Sequence, residues 1–532
     1  MNSPSDSIDD IISLLNKHYH PNSNQEHKSA QQNQRQKPSI GNALLPQIKQ
    51  QLNVLNAIPN TYSNGQDKFK RKAVSLNRQQ QPKTQIKDTS SFLSPMTRCL
   101  TFKPYSGSTD IIINDVGYYF KFGSSPIKLV KGLLEENGFK ESNDKNWTLY
   151  WSSCAIKSEV YTSLFAYQKI CHFPKSYEMT RKDLMHRNIS KMQINHGFIN
   201  FNFIPKTYIL PAEMSYFLEE HEKIKNNNPV YICKPHASSQ GKGIFITDKI
   251  QDILNKQNAN NSYVVSHYID KPLLINNLKF DLRIYVAITC INPLRIYVYQ
   301  DGLARFATEA YNPDSVKQNR FVHLTNYSVN KDSPNFVANQ DPTLDYVGSK
   351  WSLLALREYL KLNKINESQI FERIEDLIIK TIISVESAIF QACEMNVPFR
   401  SNCFSLFGFD VLVDQVLKPW LLEVNFSPSL NIDAPLDLKI KGEMLADLFT
   451  LIGIVPLDQR FSQDLSYVRN QSNYDFKKHQ QEFEKYIIKE TEEEMKRSRG
   501  WKRLYPSDQC FRYTKYFESD RPLNALLRNY YK

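Results

Sequence analysis

Three oxygen-bearing side chains, Asp410, Glu423 and Asn425, stand out for their setting. They sit within Ser405-Leu-Phe-Gly-Phe-Asp-Val-Leu-Val-Asp414 and its continuation Lys418-Pro-Trp-Leu-Leu-Glu-Val-Asn425. Two carboxylates and an amide oxygen carried by apolar runs form an oxygen-only donor set. Such a set suits Mg²⁺, with phosphate oxygens completing the shell. Burying two carboxylates without a cation is costly. Pairing with nearby Lys or Arg on a half-exposed face would satisfy the same groups, and both readings stand at this point.

Cations and small residues lie upstream. Lys234 closes the apolar run Val230-Tyr-Ile-Cys-Lys-Pro235, and the loop His236-Ala-Ser-Ser-Gln-Gly-Lys-Gly243 follows, bringing Gln240, Gly241, Lys242 and Gly243. A Gly-containing loop between strands exposes backbone N–H groups that can cover phosphates, and a lysine at a strand end can reach them as a point charge. The loop is neither GxxxxGK[ST] nor a GxGxxG that opens a helix, and a plain turn reads the same way. Lys279, Asp281 and Arg283 alternate along the next apolar run. All three therefore project to one face, where they need a polar ligand or each other.

These residues require specific elements to position them. Residues 405–425 read as an antiparallel hairpin turning near Asp414-Gln415. The i, i+2 spacing then places Glu423 and Asn425 on one face, with Asp410 close by. A second, long hairpin runs from 279 to 300 with its turn at Asn292-Pro293. Strands are also expected at 110–113, 147–153, 230–235, 244–248 and 263–269. Helices are expected at 125–138, from Thr180, and at 351–362, 367–394, 436–448 and 479–499. The fold class expected is α+β, with mixed or antiparallel sheets and flanking helices.

Composition bounds the rest. The 532 residues can hold two or three domains. No apolar run approaches the ~18 residues of a membrane span, and Met1-Asn-Ser-Pro-Ser-Asp lacks the basic-then-apolar pattern of a secretory signal. The eight cysteines show no paired spacing and read as reduced thiols of an intracellular protein. Residues 1–95, rich in Gln, Asn and Ser, read as disordered apart from a short amphipathic helix near Ile8 to His18.

The net charge of +12 is concentrated in the flanks. Residues 1–95 hold 12 Lys and Arg against 6 Asp and Glu, and residues 466–532 hold 15 against 10. An acidic polymer is the partner this field suits. The flanks carry no stacking-aromatic motif, which argues against nucleic acid. Solvated tails with no specific partner remain the plain alternative.

In combination, Lys234-Pro, Gln240-Gly-Lys-Gly, Lys279-Phe-Asp-Leu-Arg283, His323-Leu-Thr-Asn-Tyr-Ser328, Phe407-Gly-Phe-Asp410 and Leu422-Glu-Val-Asn-Phe-Ser-Pro-Ser429 resemble the tubulin tyrosine ligase-like family. The resemblance runs from about Trp151 to Ile454. His172-Phe-Pro-Lys-Ser-Tyr-Glu, Arg181-Lys-Asp and Gly500-Trp-Lys-Arg-Leu-Tyr-Pro506 look most like its polyglutamylase branch.

The resemblance implies an ATP-grasp fold. It divides the chain into an N-terminal subdomain over 104–230, catalytic subdomains over 231–456 and a basic helical extension over 466–532 that could bind microtubules. It also implies an ATP- and Mg²⁺-dependent ligase that joins free glutamate to tubulin's acidic tails. A glycine ligase and a non-catalytic microtubule-binding protein are the alternatives. Location on the cytoskeleton of the cytoplasm, in cilia or basal bodies, is a family expectation only.

Roles follow by the same resemblance. Lys234 and Lys279 would hold ATP phosphates under the loop Gln240, Gly241, Lys242 and Gly243, with Asp281 beside them. Ser266, His267, Tyr268 and Ile269 would line the adenine, Ser266 standing where relatives usually carry Gln. Asp410, Glu423 and Asn425 would carry Mg²⁺. Arg283 and Lys441 would hold the glutamate and serve catalysis. Thr325, Asn326, Tyr327 and Ser328 would form the wall between the two ligands.

Overall fold

The alternating apolar runs resolve into three sheets. The computed structural model describes residues 99–107, 117–236, 241–256, 262–312, 319–341, 344–455 and 476–532. The readings made for residues 1–95, for the strand at 110–113 and for Gln240 lie outside the described residues.

The first sheet contains β1 (Tyr119–Phe122), β2 (Lys140–Glu141), β3 (Leu149–Trp151) and β4 (Lys169–Ile170). All its pairings are parallel, in the order β2-β1-β3-β4. Helix α1 (Lys128–Glu136) buries Leu129, Val130, Leu133 and Leu134, an i, i+1, i+4, i+5 stripe that is one helical face. Helix α2 (Lys182–His196) follows the first sheet, with Arg181 as its N-cap residue.

The second sheet contains β5 (Thr207–Leu210), β6 (Tyr231–Pro235), β7 (Phe245–Thr247) and β8 (Tyr263–His267), all antiparallel in the order β5-β8-β6-β7. Helix α3 (Met214–Ile224) packs Phe217 into its small core with Tyr208, Tyr231 and Val265.

After a two-residue strand, β9 (Leu274–Ile275), comes the third and largest sheet. It is built on β10 (Leu278–Ile291) and β11 (Leu294–Phe306), the long hairpin that turns at Asn292-Pro293 as expected. Strands β12 (Lys350–Ser352), β13 (Ser405–Val413) and β14 (Pro419–Asn425) extend it in the order β12-β11-β10-β13-β14. The last strand, β15 (Trp501–Tyr505), pairs with β11 through Ile296 to Tyr299, while β12 pairs with Leu303 to Arg305 of the same strand. Strand β13 is buried along its whole length, as the central position between β10 and β14 demands.

Helices α4 (Leu353–Leu362), α5 (Glu367–Asn396), α6 (Pro435–Leu451), α7 (Phe476–Lys496) and α8 (Pro522–Tyr530) complete the parts used below. Helix α6 carries Met444, Leu445, Leu448 and Phe449 into one core with α1 and the first sheet.

Boundaries differ from the sequence reading at several places, and the helix expected from Thr180 begins at Lys182, after Arg181 as N-cap. Residues 351–362 are not one helix: Trp351 lies in β12, and α4 begins only after Ser352, whose hydroxyl accepts from Ala355 N at 3.0 Å. A serine that caps sits outside the helix it starts. At the C-terminal end the expected helix is present as α7, but β15 is an addition: five residues of 466–532 belong to the largest sheet.

Among the described residues no helix is long and apolar enough to cross a membrane. All eight cysteines are free thiols, six of them buried.

Candidate active site

Strand register builds the site. Leu303, Arg283, Asp410 and Glu423 fall in one transverse row across β11, β10, β13 and β14. A register shift between Asp410 and Val411 makes this row possible. In an uninterrupted pairing Leu422 would oppose Asp410, and Glu423 would oppose Phe409 on the other face. The bulge moves Glu423 by one residue, which turns its side chain to the face of Asp410.

Gly408, in the Phe407-Gly-Phe-Asp410 stretch, has a packing reason. A Cβ there would lie 2.8 Å from Pro428 Cβ and 3.1 Å from Arg283 Cδ, so only glycine lets the arginine cross the strand.

The carboxylates are paired with cations. Arg283 donates through Nε to Asp410 Oδ1 at 2.6 Å and through Nη2 to Oδ2 at 3.0 Å. Arg305 donates to both oxygens of Asp281, at 2.7 and 2.5 Å, and to Asp410 Oδ2 at 2.9 Å. Burial alone would raise the Asp410 carboxyl, but the Arg283 and Arg305 guanidinium groups outweigh it and hold it far below the usual carboxylate range. Lys182, at the start of α2, lies 3.1 Å from Glu423. Asn425 turns its amide nitrogen toward Glu423 Oε1, 3.4 Å away, as the i, i+2 spacing expects. The acids thus converge, and basic side chains pair with them, as the second reading of the hairpin expects.

A cavity opens beside this row. Lys182, Lys234, Lys242 and Lys279 line it with Gly241, Ser266, His267, Tyr268, Ile269, Asp281, Thr325, Asn326, Asp410 and Glu423. Burial lowers the Lys234 ammonium, although Glu423, Asp410 and Asp281 favour its charged form. Burial also pushes Lys279 down to about 7 against the pull of Asp281. Gly241 and Gly243 adopt φ of 74° and 71°, the left-handed region that glycine enters at little cost. Gly241 also lies close to Asn326, since a Cβ on it would come 3.5 Å from Asn326 Oδ1.

Arg283, Gly243, Tyr327, Ser328, Asn425 and Lys441 are not part of the cavity lining. Lys441 donates to Asn431 O at 2.6 Å and pairs with Asp437 at 2.8 Å. Lys350 meets the other Asp437 oxygen at 2.8 Å and lies 4.0 Å over the Tyr327 ring. Tyr327 and Lys441 therefore share a cluster around Asp437.

Four residues of the site carried no role in the sequence reading: Arg305, Lys182, His323 and Lys350. Arg305 had a usable signal. Counting outward from the turn at Asn292-Pro293 brings residue 305 within one position of Asp281, its strand partner. Lys182 and Lys350 had none, because their partners lie 241 and 87 residues away in the chain.

A polyanion between the lysines and a carboxylate floor is what this cavity can accommodate, and fold and family together are ATP-grasp-like. The profile of the tubulin-tyrosine ligase family matches residues 159–463, and the chain belongs to that family. Membership of this ligase family implies use of ATP.

Among curated relatives, the chain is 46% identical over 342 residues to the tubulin polyglutamylase TTLL5 of Mus musculus, covering 64% of this chain and 25% of that one. It is 38% identical over 408 residues to the tubulin polyglutamylase TTLL6 of Mus musculus (74% and 48%). It is 41% identical over 339 residues to the tubulin monoglutamylase TTLL4 of Mus musculus (63% and 28%). The chain thus spans between a quarter and a half of the length of these relatives.

Proposed function

We propose that the protein is an ATP-dependent ligase that adds glutamate to side-chain carboxylates of tubulin's acidic tails. The observation that carries this reading is the pair of lysines, half-buried Lys234 and buried Lys279, facing a cavity whose floor holds Asp410 and Glu423. Phosphate needs such cations, and desolvated cations need such a ligand. Lys234 and Lys279 hold the phosphates beneath Gly241 and Lys242, with Gln240 and Gly243 in the same loop. Residues 266–269 line the base, and Thr325 and Asn326 face the phosphate end.

The donor set fits Mg²⁺. It is oxygen-only, and a carboxylate offers about four lone-pair sites, so the three guanidinium bonds to Asp410 do not exhaust it. No group of three or more His, Cys, Asp or Glu is gathered for a metal among the described residues. Asp410, Glu423 and Asn425 would hold the ion, with phosphate oxygens completing its shell. When bound, it neutralises charge that builds up during phosphoryl transfer.

In the reaction the acceptor carboxylate oxygen forms a bond to the γ-phosphorus, and the β–γ bridging bond breaks to release ADP. The amino nitrogen of glutamate then attacks the acyl carbon, phosphate leaves with its bonding electrons, and the amine sheds a proton. Arg283 and Lys441 suit the two carboxylates of a glutamate substrate, with Tyr327 and Ser328 between the ligands. Arg283 reaches a substrate only by sharing the guanidinium that now holds Asp410. The cytoskeleton is the location this activity requires.

The test is mass spectrometry of tubulin after incubation with the full chain, ATP and isotopically labelled glutamate or glycine. Glutamate-dependent mass increments on tail peptides are expected. Increments with glycine alone, or none with either amino acid, overturn the proposal.

A further inference from the structure

One wall of the cavity holds a chain of three polar groups that phosphate and base binding do not by themselves explain. Lys279 Nζ lies 2.8 Å from Tyr268 Oη. Tyr268 Oη lies 2.9 Å from His323 Nδ1. An ammonium carries only donors, so Lys279 donates, Tyr268 Oη accepts, and the tyrosine's own proton points to Nδ1. That direction leaves the histidine proton on Nε2. His323 is 4% exposed, it lines the cavity, and its Nε2 has no partner among the described residues. A buried donor without an acceptor is held at a cost that a ligand oxygen removes.

We propose that Tyr268 is a positioning residue. Its hydroxyl holds the Lys279 ammonium and locks His323 as the Nε2–H tautomer, so that the cavity offers a ligand both a cation and an imidazole donor. The proposal rests on the nucleotide reading only for the identity of that ligand.

The groups around Lys279 set how firmly the chain keeps its direction. Burial lowers Lys279, Asp281 opposes the shift and Lys234 adds to it. Burial pushes His323 down to about 4, with Lys279 reinforcing the effect, so the imidazole is neutral at physiological pH. The Tyr311 ring closes the other side, 6.0 Å from Nζ, and its hydroxyl donates to Asp270 O at 2.8 Å. That commitment leaves Tyr311 able only to accept from Tyr268, as the competitor of His323. Loss of the lysine proton turns the amine into an acceptor and reverses the chain, moving the histidine proton to Nδ1.

The test uses the full chain, as wild type and as Tyr268→Phe, which keeps the ring and removes the hydroxyl. Nitrogen-15 spectra of labelled histidine, recorded near pH 6 so that Lys279 keeps its proton, with His323 assigned by its loss in His323→Asn, are expected to show the Nε2–H tautomer in the wild type and a mixture in Tyr268→Phe. Calorimetric titration with ATP is expected to show binding weakened about tenfold in the variant. The pH above which binding fades is expected to move down, because the ammonium has lost an acceptor that favours it. A merely structural tyrosine would not move that pH.

An Nδ1–H signal in the wild type, or an unchanged spectrum and ATP affinity in Tyr268→Phe, overturns the proposal. A wild type that binds no ATP yet shows the tautomer and its loss in the variant upholds the positioning role and overturns the nucleotide reading instead.

Discussion

Asp410 accepts three hydrogen bonds from two arginines and faces Glu423 across the hairpin. Removing one arginine leaves buried negative charge behind. Arg305→Met deprives Asp281 of its paired donors and Asp410 of one, and should cost about 3–5 kcal/mol, read as a lower urea midpoint. Glu423→Gln behaves differently. It removes a carboxylate charge from the proposed Mg²⁺ ligand set at a partly exposed position, so ligase turnover should vanish while the urea midpoint stays near the wild-type value. Unchanged turnover would sink the metal assignment. The i, i+2 rule made Glu423 with Asn425, and Lys279 with Asp281 and Arg283, legible from residue spacing alone. Arg305 was within one position of being legible from the hairpin turn, whereas Lys182 was not legible, because it needs a contact between distant segments.

At the scale of elements, α7 is bound to the large sheet by buried charge. Glu490 takes Arg400 at 2.6 Å and Arg295 at 3.0 Å, while Glu494 takes Thr289 Oγ1 at 2.6 Å. Burial alone would raise the Glu490 carboxyl, but Arg400 and Arg295 outweigh it and bring it to about 2. A carboxyl lowered on folding contributes stability above its unfolded pKa of about 4.3. That contribution is lost as pH falls from there toward about 2. Glu490→Gln should therefore cost roughly 2–4 kcal/mol at pH 7 and flatten the acid limb of the stability curve. An acid limb identical to the wild type would refute the assignment. Helices α1, α5, α6 and α7 were legible from their periodicity, and the two acidic-floor strands from their apolar runs, whereas α3 and α8 were not read. Strand β15 was not, because Trp501-Lys-Arg-Leu-Tyr505 is short and charged on its exposed positions.

Across the whole molecule, the charge excess of the C-terminal segment turns inward. Lys502 pairs with Glu375, Arg521 with Glu386 and Arg499 with Asp447, all acids outside the segment. Composition could show the excess but not its partners. Truncation at 466 would thus remove fold and charge together, so it cannot isolate a contact with tubulin. A test that spares the fold lies in the protons. Lys279 is lowered to about 7, so between pH 7 and the unfolded lysine value near 10 the folded state binds fewer protons than the unfolded one. Stability of the ligand-free chain therefore rises with pH across that window. A polyanion in the cavity restores the ammonium, so ATP binding at pH 7.5 to 8 should take up protons. Calorimetry in two buffers of different ionisation enthalpy reads that uptake, and equal heats would contradict it.

The pairing of β15 with β11 also governs the order in which the molecule can be made. β11 carries Arg305, and its edge from Ile296 to Tyr299 is covered by residues 501–505. During synthesis, about two hundred residues emerge between that edge and the strand that covers it. Throughout that interval the nascent chain displays an unpaired, apolar sheet margin, which invites pairing with other chains. Chaperone occupancy on ribosome-bound chains should therefore persist until Tyr505 has cleared the exit tunnel.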